Sequence, residues 1–196
     1  MRSSVLLLIL LVNVSGRAQT PVLKGATKPT EPVIREEILR RYAVAQAVRH
    51  KLLECVFPCE PDGLFQKLRA GDEENTFWLR GILRKYGWPG PGVVSEDGNE
   101  YALGLLMMLG NYSLEVEALP LVETAFRAGK TPGSNYAVLK DSILVSLGKP
   151  QIYGTAFLPK VNPAAKRRLV PIEDAPNVNK RRAEVGLPAI EEEPEQ

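Results

Sequence analysis

The run Ala102-Leu103-Gly104-Leu105-Leu106-Met107-Met108-Leu109 carries no polar side chain at any position. A helix that is apolar all round has no face to give to water, so it must be surrounded by other parts of the chain. A membrane-spanning helix needs about 20 such residues, and this run is far shorter. The reading is a buried central helix, beginning at Ser95 or Asp97 and ending near Leu109. Such a helix requires enough neighbouring elements to wrap it on every side.

Glycine and proline divide the rest of the chain into segments of helical length. Thr30 can cap a first helix, with Pro32 in its first turn. Ile34, Ile38, Tyr42, Ala45, Val48 and Leu52 then step by three or four, which is a helix stripe. Pro58, Pro61 and Gly63 interrupt the chain. A second helix is expected over Glu73–Tyr86, closed by Gly87 and followed by the stiff turn Trp88-Pro89-Gly90-Pro91-Gly92. Ser113 is the expected cap of a fourth helix, Leu114–Ala128, which Pro120 should bend. A fifth runs from about Ser134 to Leu147. No stretch alternates strictly with period two for the length of a strand in a sheet. The fold class expected is all-α, a single compact domain of about five helices over 30–159, with short extended pieces and a partly ordered C-terminal tail.

Composition excludes several classes. Of 196 residues, 44% are hydrophobic and 7% aromatic, as in ordinary globular proteins and unlike a collagen, a rod or a wholly disordered chain. Met1–Ala18 reads as a signal peptide: Arg2 gives the charged start, Val5–Val12 the apolar centre, and Gly16 and Ala18 the small residues before a cut at Gln19. Residues 19–29 read as a flexible linker. The expected location is therefore exported, periplasmic or secreted, with no membrane span after cleavage. Removal of the segment would take away Arg2 and Arg17 and turn the formal charge of +2 into a neutral mature chain, which argues against a nucleic-acid partner. The tail from 160 to 196 holds a basic block, Lys160–Arg182, then an acidic one, Ala183–Gln196, with a short helix expected near 179–185. The basic block lacks the interleaved aromatics that stack on bases.

Five clusters carry a resemblance. They are Gly87-Trp88-Pro89, Glu96-Asp97-Gly98, Leu119-Pro120-Leu121, Gly148-Lys149-Pro150-Gln151-Ile152-Tyr153-Gly154-Thr155, and Arg181-Arg182 with Val185-Gly186-Leu187. In this order and spacing the region from Glu73 to Ile190 resembles the uncharacterised bacterial domain-of-unknown-function family 6624. The resemblance implies that these pieces belong to one domain, but it brings no activity with it. Many members of that family carry a Gln-His pair late in the central helix, where this chain has Met107-Met108. The Asp-Arg pair expected in the fifth helix is Asp141-Ser142 here, and the Gln expected after Gly-Thr is Ala156. The resemblance further implies that Gln151–Thr155 folds back on the Trp88-Pro89 turn, with the Arg181/Arg182 helix closing over the same side.

Candidate chemistry is sparse. His50 is the only histidine and has no evident partner to orient it. Cys55 and Cys59 could form a disulfide in an exported chain, stay as thiols, or make a metal half-site with His50. The first is preferred, because a closed zinc site wants four ligands; no metal and no cofactor are expected. Trp88, Gln151 and Tyr153 are candidate ligand-binding residues, since each aromatic has an apolar body and a polar handle. Their alternative role is packing. Asp97 and Asp141 are further candidates, as caps or as part of a polar pocket, and Arg181 or Arg182 is a candidate partner for Asp141. No phosphate loop, nucleophile elbow or His-Glu-x-x-His is present, and Ser146-Leu147-Gly148-Lys149 matches Ser-x-x-Lys without its companion motifs. The function expected is binding of a peptide, small ligand or partner protein without catalysis. The alternative is a hydrolase-like enzyme using Glu96, Asp97 and Asp141.

Overall fold

The structure is a computed structural model that describes residues 28–54, 61–159 and 165–190. The signal segment and almost all of the linker lie outside the described residues, as do Cys55 and Cys59. Six α-helices follow in order: α1 (Pro32–Glu54), α2 (Pro61–Tyr86), α3 (Pro91–Leu109), α4 (Tyr112–Arg127), α5 (Gly133–Ser146) and α6 (Val178–Glu184), the last preceded by a 3-10 turn, Ala175–Asn177. The described residues form no sheet. Two isolated bridges, Gln151 with Ile172 and Phe157 with Leu169, join the two arms of the segment between α5 and α6. The all-α reading holds.

Helix α3 is the centre, touching α1, α2 and α4. Ala102, Leu105, Leu106 and Met107 are buried within it. The stripe of α1 turns toward it, with Ile38 and Ala45 buried, and Tyr42 packs edge-on against Tyr101 with ring centroids 4.9 Å apart. Leu79 and Leu83 of α2, Leu114, Ala118 and Val122 of α4, and Leu139 and Ile143 of α5 complete the core. Arginines of α1 fasten the other helices. Arg49 donates to Asp72 of α2 at 2.8 Å and to the Met108 carbonyl of α3 at 2.7 Å. Arg41 donates to Asn75 at 2.9 Å and lies over the Trp78 ring.

Three boundaries differ from the expectation. Helix α2 starts at Pro61, twelve residues before Glu73, because the good helix formers between Leu64 and Glu74 outweigh the cost of about 1 kcal/mol for each of Gly63 and Gly71. Helix α3 starts at Pro91 but is broken at Ser95, whose φ of +67° leaves the helical region before the apolar run begins. Helix α4 is capped by Asn111 rather than Ser113: the Asn111 side chain accepts from the Leu114 N–H at 3.1 Å. The helix continues through Pro120.

Candidate functional site

Gln151–Ala156 follows the end of α5 and has few partners of its own kind, so its peptide groups must be satisfied from elsewhere. Asp141 supplies the acceptors. Its side chain is fully buried and receives the N–H groups of Ile152 at 2.8 Å, Tyr153 at 3.1 Å and Thr155 at 3.1 Å, together with the Thr155 hydroxyl at 2.8 Å. Two arginines of α6 supply the donors. Arg181 donates to the Ile152 carbonyl at 2.9 Å. Arg182 donates to the carbonyls of Tyr153 at 2.6 Å and Gly154 at 3.2 Å, and to that of Pro188 at 2.6 Å. The loop is thus clamped, amides toward the acid and carbonyls toward the arginines. Asp141 reaches Arg181 and Arg182 only through the loop, a relay rather than the direct pair expected from the sequence. Burial pulls the Arg182 guanidinium down from its usual value, opposed by the nearby charge of Asp141.

Gln151 closes the other end. It is fully buried, donates to the carbonyls of Ala156 and Val170 at 2.8 Å each and accepts from the Ala156 N–H at 2.7 Å. Gly154 sits at φ +68°, and a Cβ there would lie 2.7 Å from the Ile190 side chain. The left-handed backbone favours glycine at that position, and any Cβ would also push the Ile190 side-chain tip aside.

Tyr153 is half-buried. Its ring meets Tyr136 edge-on, with centroids 6.1 Å apart, and Tyr136 stacks on Phe126. Burial first, then the neighbouring Tyr136, Asp141 and Glu184, push the Tyr153 phenol up to about 12.

Trp88 is buried, and its indole N–H donates to Asn99 at 3.1 Å and Thr131 at 3.2 Å. Thr131 also bonds Asn99 at 2.8 Å, and Asn135 bonds Thr131 at 3.2 Å. The Trp88 turn packs on the connection between α4 and α5, where a Cβ on Gly90 would lie 2.1 Å from the Lys130 carbonyl oxygen. So the arginine helix does close over the Gln151–Thr155 loop, while Trp88 and Tyr153 have separate sets of partners.

Asp97 belongs to a third neighbourhood. It pairs with Arg35 of α1 through both carboxylate oxygens and accepts from the Ser95 hydroxyl and the Gly98 N–H. The Arg35 guanidinium holds its carboxyl down at about 2. Glu96 beside it is exposed. Asp97, Glu96 and Asp141 therefore share no common partner. Glu115 is a buried acid that the sequence reading passed over. It accepts from Ser142 at 2.8 Å across the α4–α5 contact, and burial pushes its carboxyl up. His50 is exposed and faces Glu54 at 3.3 Å. Among the described residues, no group of three or more His, Cys, Asp or Glu is placed to hold a metal.

The open surface lies elsewhere. A groove of about 450 Å³ runs along α2 to the junction of α3 and α4. Phe65, Leu68 and Phe77 give it an apolar wall with Leu109, and Arg69, Glu73 and Arg80 give it a charged rim. Phe77 is 82% exposed and Phe65 47%. None of the residues nominated from the sequence lines it. The four-residue spacing of Phe65, Arg69, Glu73 and Phe77 marks this face only in a helix that begins at Pro61 rather than at Glu73.

A family model described as a family of unknown function, DUF6624, matches residues 32–194. The chain belongs to DUF6624. The match extends the resemblance forward over the whole of α1, so that His50 falls inside it. No curated protein and no solved structure matches the chain. In this DUF6624 member two of the clusters that carry the resemblance help build the fold: the Gln-Ile-Tyr-Gly-Thr loop and the arginines of α6 that bond its carbonyls.

Proposed function

We propose that this chain is an exported helical domain that binds a peptide, small ligand or partner protein without catalysis, and that the groove along α2 is its docking surface. The observation that carries the reading is the pair Phe65 and Phe77, held in solvent on the wall of that groove. Exposed apolar patches rimmed by polar residues mark protein interaction sites and ligand-binding grooves. The carboxylates that a hydrolase would use are engaged with internal donors: Asp141 with the loop amides, Asp97 with Arg35. Export rests on the composition of Met1–Ala18. It entails oxidation of Cys55 and Cys59, checked by alkylation and mass spectrometry without reductant; labelling of both thiols would count against it.

The binding reading is tested by selecting displayed peptides against the full chain and re-testing them on Phe65→Ser and Phe77→Ser. Both variants should keep wild-type helical circular dichroism and lose the selected peptides. Peptides that bind the variants as tightly as the wild type would refute the groove as the docking surface.

A further inference from the structure

Between Asp141 and Glu173 the chain carries five bases, Lys149, Lys160, Lys166, Arg167 and Arg168, and no acid. The last three stand on one arm of the segment between α5 and α6, and residues 156–159 form the arm beside it. We infer that these two arms are an interfacial anchor: Phe157 and Leu158 enter an anionic lipid surface while Lys166, Arg167 and Arg168 meet its phosphates. This surface shares no residue with the α2 groove.

Phe157 and Leu169 make an antiparallel bridge. On either side of it the Leu158 N–H donates to the Arg168 carbonyl at 2.7 Å and the Val170 N–H to the Ala156 carbonyl at 3.1 Å. Successive side chains of such a pair alternate between its two sides. Phe157 therefore shares a side with Leu169 and Arg167, and the Arg167 guanidinium does lie over its ring, 5.1 Å from the centroid. Leu158 belongs to the opposite side, with Arg168. Phe157 is 37% exposed and Leu158 40%, and the three cations are exposed. Among the described residues none of these cations forms an ion pair. Each side thus joins one exposed apolar side chain to a cation. A partner protein seated on one side leaves the other apolar side chain in water. A soluble polyanion engages the cations and gives the apolar pair nothing. An anionic bilayer surface surrounds the arms, takes both apolar side chains and attracts the cations, whose long stems carry their charged heads to the phosphates. The arms are held ready for it, because the buried Gln151 donates to the carbonyls of Ala156 and Val170 at 2.8 Å each, next to Phe157 and Leu169. With so little apolar surface the attachment is weak and reversible.

The apolar segment Met1–Ala18 can enter a bilayer by itself, so the readout is placed on the arms. Phe157→Trp and Leu158→Trp are made separately in the full chain, and their emission is compared with that of the wild type, which carries Trp78 and Trp88. On vesicles of phosphatidylcholine with phosphatidylglycerol the emission of each new tryptophan should move to the blue, and added salt should reverse the change. Phosphatidylcholine alone should give little. A cation near an anionic surface strengthens binding about fivefold. Arg167→Gln together with Arg168→Gln should therefore raise the anionic lipid needed for the same shift by roughly thirtyfold. Circular dichroism keeps the comparison to folded chains, and if one tryptophan variant unfolds, the arginine changes are read in the other. No shift on anionic vesicles would overturn the inference, and so would an equal shift on phosphatidylcholine alone or one that ignores the arginine changes. A shift at only one of two folded positions would make this a one-sided docking face, and capture by heparin without any shift would make it a polyanion site; either result overturns the lipid reading.

Discussion

Replacing Asp141 with asparagine changes one atom and should cost this fold about 3–5 kcal/mol. The carboxylate takes donors on both oxygens: Ile152 N–H on Oδ1, Thr155 N–H and hydroxyl on Oδ2, and Tyr153 N–H shared between them. Asparagine keeps one oxygen. Placed at the Oδ2 position, that oxygen retains Thr155 and Tyr153, but the new amide NH₂ then confronts the Ile152 N–H across 2.8 Å. One donor left unpaired costs about 1–3 kcal/mol, and bonds that lose their charged acceptor weaken by roughly half of 1.5–3 kcal/mol each. The buried Arg182 also loses the negative charge that offsets its desolvation. Urea unfolding of the wild type and Asp141→Asn would measure the difference. With a slope of about 2 kcal/mol/M, the midpoint should fall by roughly 2 M at unchanged slope. Thr155→Ser keeps every donor to the acid and should shift it little. A loss below about 1 kcal/mol for Asp141→Asn would refute the claim that this carboxylate holds the loop.

Other expectations follow from the same geometry. Trp88→Ala should destabilise by about 3–5 kcal/mol, as aromatic truncations in cores do, whereas Phe77→Ala, 82% exposed, should leave the melting temperature within a degree or two; the reverse order would exchange their roles. Tyr153 holds its proton more tightly folded than unfolded, so its contribution is intact below about pH 10 and is lost as pH rises toward about 12; melts against pH should show that alkaline fall reduced in Tyr153→Phe. Asp97 behaves in the opposite sense. Its folded value near 2 lies below the ordinary 3.8, so its contribution is present above about pH 4 and lost toward pH 2. Because the side chain is 42% exposed, screening limits this to about 1 kcal/mol; Asp97→Asn should remove that part of the acid sensitivity, and 1 M salt should mimic it.

The helices were readable from sequence where the side-chain pattern was strong, as a period in the Ile34–Leu52 stripe and as an unbroken apolar run in α3. Readability failed where backbone or tertiary context decided. Pro61 and Gly63 look like breaks, yet nothing crowds α2 at Gly63 or Gly71 and the residues between favour a helix strongly enough to carry through. Asn111 rather than Ser113 caps α4 because the choice between two capping residues two apart depends on where the preceding turn ends. The sequence suggests a direct pair between Asp141 and Arg181 or Arg182, but their bonds run to peptide groups of the loop between them, which are the same at every residue and leave no mark in a sequence. Trp88 looked like a ligand contact because an indole has a polar handle. Asn99 and Thr131, eleven and forty-three residues away, occupy that handle. The groove on α2 was invisible until the helix was long enough to bring Phe65 and Phe77 onto one wall.

The clamp on the Gln151–Ala156 loop has a kinetic consequence. Its acid arrives with α5, but its arginines arrive about forty residues after that acid, on a seven-residue helix too short to persist alone. The loop carbonyls of Ile152, Tyr153 and Gly154 meet their arginine donors only when α6 docks, and those arginines meet their acceptors only when the loop is shaped. The two should therefore form and open as one cooperative unit, late in folding. In hydrogen exchange, the amides of Ile152, Tyr153 and Thr155 should open with the same free energy as those of α6, and a protease nick between the two should release both together.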